Sequence, residues 1–334
     1  MNQLRAAVIG VGHLGTFHAE KYHLLPGVNL AAIVDVDRER AEHVATRFGA
    51  KAYTEHQDIL GQVDLVSIVT PTEQHYKIAS DCLESRIHTL LEKPMTQTLS
   101  EAQALIDLAQ SSGVVFQVGH LERFNPAMRE IQGQLKAPHF IESHRLAPYN
   151  PRGTDVDVVL DLMIHDIDII LNMTASPLIN IQSVGVPVLS KEVDIANARL
   201  EFADGCVANV TASRVSSKSM RKFRVFLTNA YVSIDFGEHK VSIYRKREGE
   251  HPESPTPSID REEHSFQDAD TLLEEIRAFI HSITTGSPPV VSGVDGKRAL
   301  EVALEINKSI RYSSNRGLVE EAFSSIYHDT ADRR

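Results

Sequence analysis

Three side chains that can carry or accept protons, Asp161, His165 and Asp168, are spaced four and three residues apart. On a helix that advances by about 100° per residue they fall within about 60° of one another. Histidine can act as a general base near neutral pH. The same stripe could instead be a solvated polar face, or Asp161 and His165 could bind a metal. No third ligand follows at a fixed spacing, so we predict no metal site.

A lysine stands in the sequence Leu91-Glu92-Lys93-Pro94, directly after an apolar run. Ligands of open parallel sheets bind at the carboxyl ends of the strands, where Lys93 is expected to lie. A lysine there could donate a hydrogen bond or move a proton, and Glu92 could hold its ammonium group or contact a cofactor. The alternative is a salt-bridged strand end at which Pro94 stops the ladder.

A glycine loop, Gly10-Val11-Gly12-His13-Leu14-Gly15, follows an apolar run and precedes a stretch with helical spacing. In this context Gly10 permits a tight turn, Gly12 lets the backbone approach a pyrophosphate, and Gly15 lets helix and strand pack closely. The helix N-terminus offers N–H groups to the phosphates. The loop therefore predicts dinucleotide binding.

An acidic residue, Asp35, ends the second strand twenty residues after the loop. Its carboxylate can accept hydrogen bonds from ribose hydroxyls and would repel a 2′-phosphate, so NAD is favoured over NADP. Arg38 weakens this preference, because a nearby arginine could pair with such a phosphate. The alternative is a turn without a ligand, with Asp35 as the N-cap of the next helix.

Composition excludes several classes of protein. The 334 residues fit two domains, and 42% hydrophobic with 24% charged residues is typical of a soluble globular protein. A net charge of −11 argues against a nucleic-acid surface. No apolar run is long enough to span a membrane, and no signal peptide precedes the first strand. Cys82 and Cys206 are too few for a disulfide framework, so we expect free thiols in a cytoplasmic protein.

The elements that must position these residues begin with alternating strands and helices. Runs that are apolar on both faces predict a doubly wound parallel sheet, a Rossmann fold, over residues 1–121. The predicted strands are Leu4–Ile9, Leu30–Val34, Leu65–Val69, Thr89–Leu91 and Val114–Val118, and the predicted helices are His13–Leu25, Arg38–Phe48, Thr72–Ser85 and Leu99–Gln110.

In residues 122–334 consecutive strand-like runs are joined by short turns, which predicts an α+β domain with a mostly antiparallel open sheet. A helix over Val156–Met173 carries the Asp161 stripe, and Arg247–His264 is predicted as an exposed loop. Helices over Asp270–Ile283 and Asp295–Arg311 close the chain, the last of them packing back on the first domain. The predicted strands are Ile179–Leu189, Ala196–Phe202, Cys206–Ser213, Phe223–Thr228, Tyr231–Asp235 and Lys240–Tyr244.

The glycine loop, the Glu-Lys-Pro run and the sequence Asp161-Leu162-Met163-Ile164-His165-Asp166-Ile167-Asp168 together resemble the glucose–fructose oxidoreductase and inositol dehydrogenase (Gfo/Idh/MocA) family over nearly the whole chain. The resemblance implies that Lys93, Asp161 and His165 surround the reacting carbon. His165 would accept the hydroxyl proton, and Asp161 would orient His165 or the substrate. Lys93 would donate a hydrogen bond to the alcohol oxygen. Whether Lys93 or His165 is the base stays open. Met163 departs from the glycine common in this motif.

The resemblance also implies further contacts. Thr70, Pro71 and His75 would lie along the cofactor with Glu92, and His13 and Leu14 would belong to the same site as loop residues. Possible substrate contacts are Arg123, Asn125, Tyr149 and Arg152.

A polyhydroxylated substrate follows from the resemblance, and the stretch Gly119–Pro126 is similar to members that oxidise nucleotide-linked amino sugars such as UDP-N-acetylglucosamine at C3. We therefore expect an NAD-dependent sugar-nucleotide dehydrogenase. The alternatives are an inositol or free-sugar dehydrogenase, a reductase of an unsaturated substrate, or a non-catalytic NAD or sugar sensor. The open sheet leaves one face uncovered, which predicts a homodimer or homotetramer.

Overall fold

The computed structural model describes residues 3–150, 156–247, 258–266 and 269–328. The chain forms two compact units. The first contains Met1–Arg129 and Asp268–Leu300, and the second contains Glu130–Gln267 and Glu301–Arg334. Each unit has its own sheet. None of the helices in the described ranges has both the length and the hydropathy needed to cross a bilayer.

The first unit contains a six-stranded parallel sheet in the order β3-β2-β1-β4-β5-β6. The predicted doubly wound fold is therefore confirmed. Only the edge strand β3 has no counterpart in the prediction, because three residues are too short to show a period. The strands are β1 (Leu4–Ile9), β2 (Val28–Val34), β3 (Lys51–Tyr53), β4 (Leu65–Ile68), β5 (His88–Glu92) and β6 (Phe116–Gly119).

Some helices of this unit begin at side-chain caps. The side chain of Asp37 accepts from the backbone of Arg40, and Thr98 forms a capping box with Glu101. A left-handed Gly49 closes the first of these two helices. The helices within this unit are α1 (His13–Leu24), α2 (Arg38–Phe48), α3 (Thr72–Glu84), α4 (Leu99–Ser112) and α7 (Thr271–Thr285). Two more, α5 (Pro126–Ile131) and α8 (Gly293–His328), contain residues of both units.

The second unit contains an eight-stranded sheet in the order β14-β13-β12-β11-β7-β10-β9-β8. Every neighbouring pair is antiparallel except β7 and β10, so the predicted mostly antiparallel sheet is confirmed. The strands are β7 (Phe140–Leu146), β8 (Leu178–Val186), β9 (Ile195–Phe202), β10 (Val207–Ser213), β11 (Met220–Phe226), β12 (Ala230–Asp235), β13 (Lys240–Lys246) and β14 (Ile259–Ser265).

The prediction of an exposed loop over Arg247–His264 is wrong for its last part, since Ile259–Ser265 pairs with β13 as an edge strand. Six of its seven side chains are exposed, so it lacks the alternation of buried apolar residues that marks an internal strand. Residues 248–257 of that segment lie outside the described residues.

The predicted helix over Val156–Met173 is a composite. A π-helical turn at Val159–Met163 leads into α6 (Ile164–Met173). Asp157 fixes this entry, because its Oδ1 accepts from the backbone of Val159 at 2.9 Å and of Leu160 at 3.0 Å. A wider turn changes the angle between Asp161 and His165, a difference that a uniform α-helical spacing could not predict.

Candidate active site

The glycine loop has the tight geometry that the sequence predicts. Gly10 has φ +86°, and a Cβ there would lie 2.6 Å from the carbonyl oxygen of Val69. A Cβ on Gly15 would lie 1.8 Å from the carbonyl oxygen of Gly10, so helix α1 meets the strand at a distance that only glycine permits. A Cβ on Gly12 would meet nothing within 4 Å. The loop thus has open space beside Gly12, on the side where a pyrophosphate is expected.

Helix α1 begins at His13 without a side-chain cap and without an acidic residue in its first turn. His13 and Leu14 are exposed beside the loop, and the His13 ring contacts Phe17 edge to face at 5.0 Å between centroids. The Thr16 hydroxyl donates to the carbonyl oxygen of Gly12 at 2.8 Å. The uncapped N–H groups and the helix dipole suit an anionic ligand.

The Asp35 carboxylate is 6% exposed and is bonded on both oxygens. Oδ2 accepts from the backbone of Val11 at 2.8 Å, and Oδ1 accepts from the backbone of Asp37 at 2.9 Å. Arg40 donates to both, with Nε at 3.1 Å and a terminal nitrogen at 2.8 Å. The N-cap of α2 is Asp37, so the alternative role of Asp35 as that cap is wrong.

These contacts set the charge of Asp35. Burial raises the pKa of its carboxyl, but the hydrogen bonds from Arg40, Asp37 and Val11 outweigh burial, and the pKa lies below its usual range. Two carboxylate oxygens offer about four acceptor sites, and these four bonds occupy them. A ribose hydroxyl can therefore bond Asp35 only if Arg40 gives up a position.

The arginine that bonds Asp35 is Arg40, and not Arg38 as the sequence suggested. Arg38 is largely exposed and pairs with Glu42 at 2.8 Å. The Asp35–Arg40 contact joins a strand end to the first turn of α2, a spacing that no helical or strand period indicates.

A cavity of about 600 Å³ adjoins these residues within the first unit. Its wall includes two residues of the glycine loop, the Asp35–Arg40 pair and the predicted Thr70 and Pro71, and this combination fits a dinucleotide. The lining is Ile9, Gly10, Gly12, Val34, Asp35, Val36, Arg40, Thr54, Glu55, His56, Gln57, Val69, Thr70, Pro71, Glu73, Gln74, Lys77 and Ile78.

His75 is outside that wall and ties two loops together. It is 1% exposed, with Nε2 2.9 Å from the carbonyl oxygen of Thr70 and Nδ1 2.9 Å from that of Pro94. Burial lowers the pKa of His75, while both carbonyl contacts oppose this change. The ring thus links the loop after β4 to the turn after β5.

Glu92 and Lys93 differ in burial at the end of β5. Glu92 is buried and its Oε1 lies 3.3 Å from Nε2 of His18, while its Oε2 accepts from the backbone of Lys93 at 3.2 Å. A Cβ on Gly119 would lie 2.8 Å from the same carboxylate, so glycine at this position of the neighbouring strand leaves room for the Glu92 side chain. The Lys93 residue is half-buried. Glu92 thus holds the turn that carries Lys93.

Two predicted substrate contacts, Arg123 and Asn125, are buried in the first unit. Arg123 lies 3.7 Å from Asp295. Asn125 donates to Glu122 at 3.2 Å and accepts from the backbone of Ala127 at 3.2 Å. Their position stabilises the turn after β6, and their contact with a substrate stays a prediction.

The second unit carries the acid–imidazole stripe. Asp161 lies in the π-helical turn, and Asp161 and His165 are half-buried, whereas Asp168 is only 1% exposed. A fully solvated polar face therefore does not describe this stripe. No group of three or more His, Cys, Asp or Glu side chains within the described ranges is arranged to hold a metal ion.

An unpredicted ion pair fixes the same helix. Both oxygens of Asp166 accept from Arg145 on β7, at 2.9 and 3.0 Å, and the two side chains are almost completely buried. Asp166 therefore orients the helix on the sheet. Of the other predicted contacts, Tyr149 is 42% exposed, and Arg152 lies outside the described residues.

Two regions of the chain match known families of domains. Residues 4–120 match the oxidoreductase family with an NAD-binding Rossmann fold, and residues 131–233 match the GFO/IDH/MocA C-terminal domain. The first match covers all six strands of the parallel sheet. The second covers β7 to β11 and part of β12 in the eight-stranded sheet.

Individual relatives extend the match to nearly the full chain. UDP-N-acetylglucosamine 3-dehydrogenase from Acidithiobacillus ferrooxidans is 38% identical over 93% of this chain and 98% of its own. A crystal form of that enzyme has a TM-score of 0.85 at 37% identity, with the same coverage of both chains. Myo-inositol 2-dehydrogenase from Thermotoga maritima is 25% identical over 92% of this chain and 96% of its own.

Proposed function

Because the chain belongs to the GFO/IDH/MocA oxidoreductase family, whose NAD-binding Rossmann domain and C-terminal domain it contains, we propose that it oxidises the C3 hydroxyl of UDP-N-acetylglucosamine or a closely related sugar nucleotide. The observation that carries this proposal is 38% identity over 93% of the chain to the relative with that activity. The chain is an NAD-dependent oxidoreductase acting on CH–OH groups, and the proposal concerns its substrate.

The residues of the first unit fit the cofactor. The open side of Gly12, the uncapped start of α1 and the bonded Asp35 would hold the pyrophosphate and the adenosine ribose. Bound NAD supplies the hydride acceptor. Glu92 and His75 hold the turn that presents Lys93.

In the mechanism that we propose, a side chain of the protein accepts the hydroxyl proton of the substrate. His165 accepts the hydroxyl proton as the carbon–hydrogen bond breaks, and the alcohol becomes a ketone. Lys93 donates a hydrogen bond to the oxygen, where negative charge develops. Asp161 orients His165 or the substrate. In the alternative, Lys93 accepts the proton and His165 orients the oxygen.

A substrate panel tests the proposal. Purified protein with NAD is mixed with UDP-N-acetylglucosamine, UDP-glucose, N-acetylglucosamine and myo-inositol, and NADH absorbance is followed. We expect the highest kcat/KM with UDP-N-acetylglucosamine. We expect no NADH formation with the two substrates that lack a UDP group. Activity on myo-inositol alone would support the inositol dehydrogenase alternative. NADH binding without turnover of any sugar would support a sensor.

We also propose that the outer face of the second sheet joins two or four copies of the chain. A row of aromatic rings in contact crosses it, with centroid distances of 5.5 Å for Phe140–Phe226, which is tilted, and 4.9 Å and 5.4 Å for the stacked pairs Phe226–Tyr231 and Tyr231–Tyr244. Light scattering should give a dimer or tetramer for the wild type, and Tyr231→Glu should shift the mass towards a monomer. A wild-type monomer would contradict this proposal.

The buried thiols support a reducing compartment, and we propose the cytoplasm. Burial raises the pKa of Cys82 to about 12 and that of Cys206 to about 11. Both are inert in this state.

A further inference from the structure

A buried polar layer lies between the sheet of the first unit and helices α1 and α7. Its members come from three neighbouring strands and from both helices, and none is more than 8% exposed. They are Ser67, Glu92, Gln117, His18, Tyr22 and Glu275. This buried polar layer lies directly under the end of β5, before the turn that carries Lys93.

One half of the layer is a chain of polar contacts, with hydrogen bonds joining Tyr22, Ser67 and His18 and a charge contact joining His18 to Glu92. The Ser67 hydroxyl lies 2.8 Å from the Tyr22 hydroxyl and 3.1 Å from Nδ1 of His18. The other ring nitrogen of His18 lies 3.3 Å from Glu92. Burial raises the pKa of Glu92, but the contact with His18 and the charge of Lys93 outweigh burial and bring it below its usual range. Glu92 is therefore the charged carboxylate of the layer.

Glu275 contrasts with Glu92 in its hydrogen bonds. It is completely buried, and neither of its carboxyl oxygens has a hydrogen-bond partner among the described residues. The same is true of Oε1 of Gln117, whose Nε2 donates to the backbone oxygen of Glu275 at 3.4 Å. If Glu275 were ionised, all three of these buried atoms would be acceptors. A proton on Glu275 adds a donor.

The charged groups nearby do not replace that proton. Lys21 on α1 pairs with Asp270 and Glu20. The turn Leu121–Phe124, which also packs on α7, carries Glu122 and Arg123, whose contacts with Asn125 and Asp295 are described above. Burial and the neighbouring charge of Glu92 both raise the pKa of Glu275 well above its usual value.

We propose that Glu275 is a neutral carboxylic acid that positions Glu92, and through Glu92 the turn that carries Lys93. An uncharged acid fills the space under β5 without repelling Glu92. Glu92 can then keep its charge contact with His18 and its hydrogen bond from the backbone of Lys93. The link to catalysis rests on the proposed role of Lys93, whereas the protonation of Glu275 does not.

Thermal unfolding across pH tests the protonation without substrate or cofactor. Glu275→Gln replaces the neutral acid with a group of similar shape, and Glu274→Gln changes the exposed neighbouring glutamate, which pairs with Arg129 and Arg277. A pKa raised by folding gives stability that is full below the unfolded-state pKa and is lost as pH rises through the folded-state pKa.

We therefore expect the Tm of the wild type and of Glu274→Gln to fall, relative to Glu275→Gln, as pH rises from mildly acidic to mildly alkaline. Glu275→Gln should keep NADH affinity within about twofold, because the neutral form is preserved. A difference in Tm between Glu275→Gln and the wild type that stays constant across pH would overturn the proposal.

An infrared measurement on the wild type covers the case in which Glu275→Gln does not fold. A protonated carboxyl has a carbonyl band distinct from that of a carboxylate. We expect this band to persist at neutral pH in the wild type and in Glu274→Gln, and to be absent from Glu275→Gln. Absence of the band from the wild type at neutral pH would equally overturn the proposal.

Discussion

One buried group of carboxylates in each unit shows two different ways of compensating buried charge. In the first, Glu92 and Glu275 lie in a layer whose one basic member is the imidazole of His18. In the second, Asp166 is paired with Arg145, and Asp194 accepts from Arg214 at 2.8 Å. An arginine stays charged at any ordinary pH, whereas a carboxylic acid and an imidazole exchange protons. The first arrangement is titratable, and the second is fixed.

This difference matches what each unit must do in the proposed reaction. The layer of the first unit lies under the turn that carries Lys93. We therefore expect the protonation of Glu275 to affect the position of Lys93, the proposed catalytic residue. The arginine pairs of the second unit hold the helix that carries His165 and the segment before it. Arg214 also donates to the carbonyl oxygen of Val156 at 2.6 Å, ahead of the π-helical turn.

The largest effect is expected from the proposed catalytic residues, one in each unit. Lys93→Ala and His165→Ala should each lower kcat/KM for the sugar nucleotide by about 10²–10⁴-fold, as general acid–base groups typically do. The control is His139→Ala, an exposed residue bonded to Thr228, which should keep wild-type rates. Near wild-type turnover of either catalytic variant would remove that residue from the mechanism.

Removing one partner of a fixed pair should cost stability. Asp166→Asn removes the buried carboxylate that accepts two bonds from Arg145 and should lower the free energy of unfolding by about 3–5 kcal/mol. Glu142→Gln breaks the half-buried pair with Arg224 and should cost about 1 kcal/mol or less. Urea unfolding measures both. Equal costs would show that burial does not distinguish the two pairs.

Cofactor preference should depend on Arg40 and not on Arg38. Arg40→Ala removes the positive charge beside Asp35, so the carboxylate repels a 2′-phosphate more strongly. We expect the ratio of NADPH to NADH dissociation constants, from fluorescence titration, to rise by about tenfold, a difference of about 1.4 kcal/mol. Arg38→Ala is the matched control. An equal change in both variants would refute a specific role for Arg40.

The smallest effect is expected from Asp194, whose contribution to Tm should change with pH in the direction opposite to that of Glu275. Burial raises the pKa of Asp194, but bonds from the backbone and hydroxyl of Ser190, from Arg214 and from the backbone of Leu189 lower it far below its usual value. A lowered pKa gives stability that is present above the unfolded-state value and is lost as pH falls through the folded-state value. The Tm difference between wild type and Asp194→Asn should therefore narrow as the solution becomes more acidic. A constant difference would contradict a charged Asp194.

Local patterns were sufficient for much of the fold. The parallel strands of the first unit are apolar on both faces, and helices α2 and α4 begin at side-chain caps and end at left-handed glycines, so these elements appear in a sequence read alone. Strand β14 was missed because its side chains face solvent. Strand β7 has no counterpart in the sequence prediction although its alternate residues are buried, because Ser143 and Arg145 are two of the inward-facing ones.

Patterns along the chain are enough to find the glycine loop, the acid at the end of β2, the Glu-Lys-Pro run and the acid–imidazole stripe, because each depends on residues close together in sequence. The folded chain is needed to see that Arg40 bonds Asp35, that Arg145 bonds Asp166, and that Glu275 lies in one layer with Glu92. These contacts join residues from separate elements, and burial then sets their charge. No spacing along the chain contains that information.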